Sequence, residues 1–527
     1  MHLDLIIVLV YFMGVMGLAL SGRSKTESTS SEEYFLSGRR LPWYSIAIST
    51  IATNIGGAHF LGMMGSAYLY GIAQANFEIN AVQGILLAAF VFVPLYLRSR
   101  VVTITQFIEL KLGTEIARLY SVANVLLFMT LYLGAALFWG AYAADLVFSD
   151  YLLWISGDAF TRISVLIIAL GVFSAIYTYM GGLSAVVRTD LLQFAILVIG
   201  GVCLTTVAIR ELGGWGQLWV QVPEKMHLHL PVDHEKLPWT HLFGLFLLNI
   251  NYWCANQAVM QRSLAAKSLR HAQIGLLTGG ALKYLMAIII IVPGVALFGV
   301  LGDQLAADPD QAFPYLVTEY LPDWLGGLIL CALFASMMST VDSTFNSAAT
   351  LVSVDLMKGW FRPNMTEAQM VTAGRRTILA ALATGIGTAL LLTYAKVSSS
   401  EVAFTHTLNE LRYYVNCGIV VTIIAAAFFL IRRRLDGQGE SGPVWPPVMV
   451  GILLTVPLNF AFKQLWFPEM NYILRAGIVI AIGLLVVLVF AARFRFEKQR
   501  FEAAGRDMVY AGFALASSLI LLHVVFH

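Results

Sequence analysis

Apolar runs of about 20 residues recur from end to end of this 527-residue chain, and each is long enough to cross a bilayer as a helix. Charged residues make up only 12% of the sequence, against about 25% in an ordinary soluble domain. That deficit excludes a water-soluble core protein, and a net charge of +2 gives no reason to expect a nucleic-acid partner. Fourteen transmembrane spans can be read, at about 3–21, 41–70, 76–97, 119–147, 161–180, 186–210, 238–260, 272–301, 324–356, 376–395, 402–431, 444–463, 471–492 and 507–526. The expected class is an all-α polytopic membrane protein. The first span has no basic segment ahead of it, which reads as a retained helix and not a cleaved signal. Cys203, Cys254, Cys331 and Cys417 lie in apolar runs without CxxC spacing, as reduced core residues do.

Charge sets the expected orientation. Cations follow the odd-numbered spans: Arg23, Lys25, Arg39 and Arg40; Arg98, Arg100, Lys111 and Arg118; Arg188; Arg262, Lys267 and Arg270; Lys358, Arg362, Arg375 and Arg376; Arg432, Arg433 and Arg434; and Arg493, Arg495, Lys498 and Arg500. Residues 302–323 carry Asp303, Asp308, Asp310, Glu319 and Asp323 with no Lys or Arg. Because cytoplasmic loops are the basic ones, both termini are expected outside a plasma (inner) membrane.

Two polar interruptions fall inside apolar spans. "TNIGGAHF", residues 53–60, puts Asn54, two glycines and His59 within the second span. "LNINYWCANQ", residues 248–257, interrupts the seventh with Asn249, Asn251, Trp253 and Asn256. Non-helical backbone at membrane depth is tolerated only where protein buries it or where it lines a cavity. A glycine packing patch would explain the first break alone. A matching break five spans later is what two inverted five-span repeats require, over spans 2–6 and 7–11, with a midplane site between them.

Span 9, "CALFASMMSTVDSTFNS", carries Ser336, Ser339, Thr340, Ser343 and Ser347 on one helical face. Such hydroxyls often bond only the preceding turn. Hard cations prefer oxygen ligands, so Ser339 and Thr340 facing freed carbonyls of span 2 would make a cage for Na⁺. Asp342 on the same helix and Asp190 in span 6 are charges at membrane depth, which cost at least about 2.5–3.5 kcal/mol and mark functional candidates. Pairing of Asp190 with Arg188, or capping of a helix start, is the plainer alternative. Lys283 and Glu78 are also intramembrane and could simply pair. Together with His59, Asn249 and Asn409 they would form a pocket rich in donors and acceptors, as a hydroxylated ligand needs, with Tyr252 and Trp253 as an apolar face for a sugar ring.

These segments carry a resemblance. "SGRRLPWYSIAISTIATNIGGAHFLGMMGSAY", "FEINA", "YTYMGGLSAVVRTDLLQ", "NYWCANQAVMQRSLAAKS" and "FASMMSTVDSTFNSAATLVSVDLM" resemble, in order, the sodium/solute symporters, most closely the sodium/glucose and sodium/galactose cotransporters. The likeness covers about residues 1–435; the last three spans match only in hydropathy. It implies a leucine-transporter-type fold with inverted five-helix repeats. An extra N-terminal helix and basic cytoplasmic loop would occupy 1–40, the first repeat 41–210, the second 238–431 and three peripheral helices 444–526. It implies Na⁺ as coupling ion, held by the carbonyls of Ala52, Ile55 and Ser336 and the hydroxyls of Ser339 and Thr340. It implies sugar contacts from His59, Glu78, Asn249, Lys283 and Asn409, with Tyr252 as an inner gate held by Asn54. Asp190 would lie on the sodium exit path or complete a second sodium site. Three positions depart from the family: Asn409 replaces a usual Gln, Asn256 an Asp found in some relatives, and Asp342 a small neutral residue. Asp342 with Asp190, Ser339 and Ser343 could then form a second sodium site or carry a proton.

The expected activity is Na⁺-coupled symport of a monosaccharide or polyol, by a monomer in the bilayer and without an organic cofactor. The same fold could carry an organic acid, amino acid or nucleobase, or couple to protons. Glu78 beside His59 favours a hydroxylated ligand, since an anion would seek cations. A solute sensor needs a signalling domain, and the chain ends at His527, just past the last span. No HExxH, GxSxG, P-loop or zinc spacing points to an enzyme.

Overall fold

A computed structural model describes residues 2–21, 30–322, 325–398, 404–429, 431–432, 445–492, 495–496 and 504–527. Of the expected basic positions, Arg23, Lys25, Arg433, Arg434, Arg493, Lys498 and Arg500 lie outside the described residues, as does Asp323. The architecture is helical, apart from a two-residue antiparallel pairing of Ile431–Arg432 with Arg495–Phe496. Lipid offers the backbone no hydrogen-bond partner, so apolar segments satisfy their own N–H and C=O groups as helices.

Among the described residues ten helices are long and apolar enough to cross a membrane: His59–Arg98, Thr114–Leu152, Ala159–Leu212, Leu269–Leu301, Gly326–Phe361, Glu367–Lys396, His406–Phe428, Pro446–Trp466, Tyr472–Ala491 and Arg506–Val525. This differs from the fourteen expected spans for physical reasons. Spans 161–180 and 186–210 run together in the 54-residue Ala159–Leu212 segment. A straight helix of that length would be about 80 Å long, against a hydrocarbon core of about 30 Å. The chain instead turns at Gly182, with φ 52° and ψ −145°, where a Cβ would collide with the Tyr34 carbonyl. Span 41–70 is split between Trp43–Asn54 and the start of His59–Arg98. Span 238–260 is split between His241–Ile250 and Gln257–Leu264. The apolar part of the first helix, Ile6–Leu20, is shorter than the rest.

Burial ranks the helices. The most apolar stretch of Gly326–Phe361 is 83% buried, whereas that of Arg506–Val525 is 22% buried. The central helix packs along Ala159–Leu212 and Thr114–Leu152. Small residues let the backbones approach: Gly200 faces Ala332, and Gly140 faces Met337. The outer helices present Leu453, Phe460, Val489, Phe513 and Ile520 outward, as suits a lipid-facing surface. All four cysteines are free thiols.

The first break sits against this core. A Cβ at Gly57 would lie 2.9 Å from both the Gly140 nitrogen and the Trp139 carbonyl carbon, backbone atoms that cannot swing aside. Gly57→Ala is therefore expected to destabilise the fold by about 1–3 kcal/mol through overpacking. Thermal unfolding of the detergent-purified protein should show a lower midpoint, and an unchanged midpoint would mean that the contact is not tight.

Candidate functional site

The Trp43–Asn54 helix stops because Ile55 is extended, at φ −85° and ψ 112°. The N–H that would close the next turn on Ala52, that of Gly56, donates instead to His59 Nδ1 at 3.1 Å. The Thr340 hydroxyl donates toward the freed carbonyls of Thr53 at 3.1 Å and Ile55 at 3.5 Å, and toward Ser336 O at 3.2 Å. The second break is built alike. Asn256 is extended, and its side chain caps the Gln257–Leu264 helix by accepting from Ala258 N–H at 2.8 Å. The carbonyls of Cys254 and Ala255 each accept from a tyrosine, Tyr96 and Tyr120, both at 2.6 Å.

Between the breaks lies a cavity of about 250 Å³, near the low end of small-molecule sites, about 300–1,000 Å³. All seven residues expected to touch a solute line it: His59, Glu78, Asn249, Tyr252, Trp253, Lys283 and Asn409. Asn54 and Thr340 line it too. Lys283 Nζ donates to Glu78 Oε2 and, at 2.5 Å, to Asn54 Oδ1. His59 Nε2 lies 3.4 Å from Glu78 Oε1. Lys283 also sits 5.6 Å from the centre of the Trp253 ring, within cation–π range. Asn249 Nδ2 donates to the Asn80 carbonyl at 2.9 Å, which fixes its amide. The Asn54 side chain is set against the Tyr252 hydroxyl as well. The alternative of a plain Lys283–Glu78 pair thus holds as a contact, but the pair stands in a cavity wall.

The hydroxyl face of the central helix divides. Ser336 and Ser347 donate to carbonyls of their own preceding turn, Leu333 at 2.8 Å and Ser343 at 2.7 Å. Thr340 reaches the first break. Ser339 turns the other way and donates to Asp190 Oδ1 at 2.6 Å. Of the five proposed sodium ligands, Ile55 O, Ser336 O and Thr340 Oγ1 therefore converge directly, and Ser339 Oγ is engaged by a carboxylate.

Asp190 does not pair with Arg188, whose guanidinium donates to the carbonyls of Leu18 and Ala19 at 3.2 and 3.0 Å. Its cation is Arg262, at 3.5 Å, and both side chains are 0% exposed. Arg262 belongs among the cations of a basic connection by sequence; the structure buries it. Its Nε donates to Ser49 Oγ at 2.9 Å, its Nη2 to Ser343 and its Nη1 to the Ala258 carbonyl. Ser49 also donates to Asp190 at 2.5 Å. Asp342 points elsewhere, accepting from the hydroxyls of Tyr177 and, at 3.4 Å, Thr178. Asp190, Ser343 and Asp342 do not line the cavity; Asp190 and Ser343 are joined through Arg262.

Sequence reasoning missed several cavity residues, among them Gln74, Arg412, Tyr413 and Asn416. Arg412, Tyr413 and Asn416 follow Asn409 at i+3, i+4 and i+7, so the face carrying Asn409 could have disclosed them. Arg412 donates to Asn409 Oδ1 at 3.4 Å and lies 5.0 Å from the Tyr132 ring centre.

Known proteins resemble this chain in sequence and in fold. A model of the sodium:solute symporter family matches residues 34–404. Sodium/glucose cotransporter 1 of Oryctolagus cuniculus is 30% identical over 493 residues, covering 86% of this chain and 71% of that one. The sodium/glucose cotransporter of Vibrio parahaemolyticus is 28% identical over 503 residues, covering 90% and 87%. A solved Na⁺-coupled sialic acid symporter, in a substrate-bound outward-open state, superposes with a TM-score of 0.79 at 17% identity, over 94% of this chain and 99% of that one. With two broken helices around a polar cavity and a family match over most of its length, this chain is a member of the sodium:solute symporter family, a membrane transporter and not an enzyme.

Proposed function

We propose that this chain is a Na⁺-coupled symporter that imports a monosaccharide, glucose- or galactose-like, or a polyol by alternating access. The observation that carries the reading is the shared first break. One side of it faces the cavity through Asn54 and His59, and the other offers the Ile55 carbonyl to Thr340. An ion bound by Ala52, Ile55, Ser336, Ser339 and Thr340 would fix the backbone that aims Asn54 and His59 at the solute. That is a coupling free energy between two sites.

In this reading the chain crosses the membrane fourteen times, with both termini outside. Residues 41–210 and 238–431 form leucine-transporter-type inverted repeats, flanked by the segments 1–40 and 444–526. His59, Glu78, Asn249, Lys283 and Asn409 contact the hydroxyls, Trp253 offers an apolar face, and Tyr252 closes the inner gate with Asn54 behind it. Asp190 lies on the sodium exit path. The guanidinium of Arg262 takes the oxygens of Ser49, Ser343 and Asp190 that a second sodium would use, which favours the exit path over a second ion site. One Na⁺ crossing about 100 mV releases about 2.3 kcal/mol. A tenfold gradient adds about 1.4 kcal/mol, so a single ion supports roughly 500-fold accumulation of a neutral solute.

Arg412 favours a second reading, a sugar acid or other hydroxylated anion. Lys283 is neutralised by Glu78, but among the described residues the side-chain hydrogen bond of Arg412 goes to an amide, so it offers a cation to a carboxylate.

Uptake of radiolabelled galactose, glucose, inositol and glucuronate into proteoliposomes tests both readings. An inward Na⁺ gradient should drive accumulation of one of the neutral solutes, and a proton gradient alone should not. Accumulation of glucuronate only would establish the second reading, while proton-driven uptake would contradict sodium coupling. Glu78→Gln should weaken solute binding at least about 10-fold and leave sodium binding unchanged, read by tryptophan fluorescence titrations with each ligand. Wild-type solute affinity in that variant would remove Glu78 from the site.

A further inference from the structure

A second cavity, of about 680 Å³, shares no lining residue with the first and opens where the Gly326–Phe361 helix gives way to Glu367–Ser398. Its lining is amphiphilic. Val352, Met357, Met365 and Ala380 supply apolar surface, and Arg362 and Arg376 supply two cations. The acids nearby are engaged elsewhere. Glu367 accepts from Ser31 N–H at 2.9 Å and faces Lys358 at 3.8 Å, and Asp355 accepts from the Thr103 hydroxyl at 2.6 Å. Among the described residues, neither guanidinium has a side-chain hydrogen bond or ion pair, so two like charges line one cavity without a counter-ion.

The level of this cavity is marked by its neighbours. Trp360 and Phe361 stack at 4.9 Å and are 40% and 62% exposed at the helix end. Arg118 lies over the Trp360 ring at 4.9 Å. Exposed aromatics beside arginines are the signature of the headgroup layer. A cavity at that level, lined by two cations and by apolar side chains, matches an anionic lipid: phosphate at the arginines, acyl chain along Val352 and Met357.

We propose that this cavity binds the headgroup of an anionic phospholipid. The claim is independent of which solute is carried. The test is native mass spectrometry of the purified full-length protein titrated with phosphatidylglycerol, phosphatidylcholine or inorganic phosphate. One phosphatidylglycerol should be retained in preference to phosphatidylcholine. The double variant Arg362→Gln/Arg376→Gln should bind it about 30-fold more weakly, while Arg362→Lys and Arg376→Lys keep most of the affinity. Equal retention of phosphatidylcholine by the wild-type chain would overturn the proposal. So would wild-type affinity in the double variant, or displacement of the lipid by millimolar inorganic phosphate, which would make a soluble anion the occupant. The comparison of lipids and of phosphate needs no variant, so a failure of the double variant to fold leaves the proposal testable.

Discussion

A helix that breaks inside a hydrocarbon layer strands peptide groups that have nowhere to turn, and each stranded group costs several kcal/mol. The two breaks here are possible because other side chains meet those groups. Thr340 takes the carbonyls of Thr53 and Ile55, His59 takes the Gly56 N–H, Tyr96 and Tyr120 take Cys254 and Ala255, and Asn256 caps Ala258. These partners come from another helix, from just across the break or, for Asn256, from the break itself. The packing of the bundle therefore holds the broken backbone in place, and the broken backbone in turn shapes the cavity.

The same logic governs the buried charges. Lys283, Glu78, Arg262 and Asp190 are all nearly or wholly out of contact with solvent. Desolvating such pairs offsets much of their mutual attraction, so they are poor sources of stability. They do confer geometry. Glu78 gathers Lys283 and His59 on one side of the cavity, and Arg262 gathers Asp190, Ser49 and Ser343 from three separate segments. Thr53 links the second group to the first break, since its hydroxyl lies 2.8 Å from that of Ser343. A change at the Arg262 network is thus one short step from the carbonyls of the first break.

Much of this was legible in the chain. Asn-Ile-Gly-Gly within an apolar run conflicts with any unbroken helix, and a second conflict five spans later pointed to a paired site. Polar residues spread over 350 positions, from His59 to Asn409, line one cavity as the breaks suggested. What was not legible is partner choice. Arg262 reads as a loop cation because charge counting cannot tell a solvated arginine from one sealed against Asp190. Ser339 and Thr340 are adjacent in sequence, yet a helical step of about 100° aims one at a carboxylate and the other at carbonyls. The boundary between the fifth and sixth spans was legible too, since the chain turns at Gly182, between the runs 161–180 and 186–210.

The central claim is that sodium and solute communicate through the first break. Its most direct test is the solute dissociation constant of the purified protein, measured by calorimetry with and without sodium, in wild type and in Thr340→Ala. The account predicts that sodium tightens wild-type solute binding by roughly 5–150-fold, the usual range of coupling between two sites. In the variant it predicts that sodium-free affinity persists and the tightening is lost. Full sodium-dependent tightening in Thr340→Ala would contradict the account, because the ion would then act without the hydroxyl that meets the broken helix.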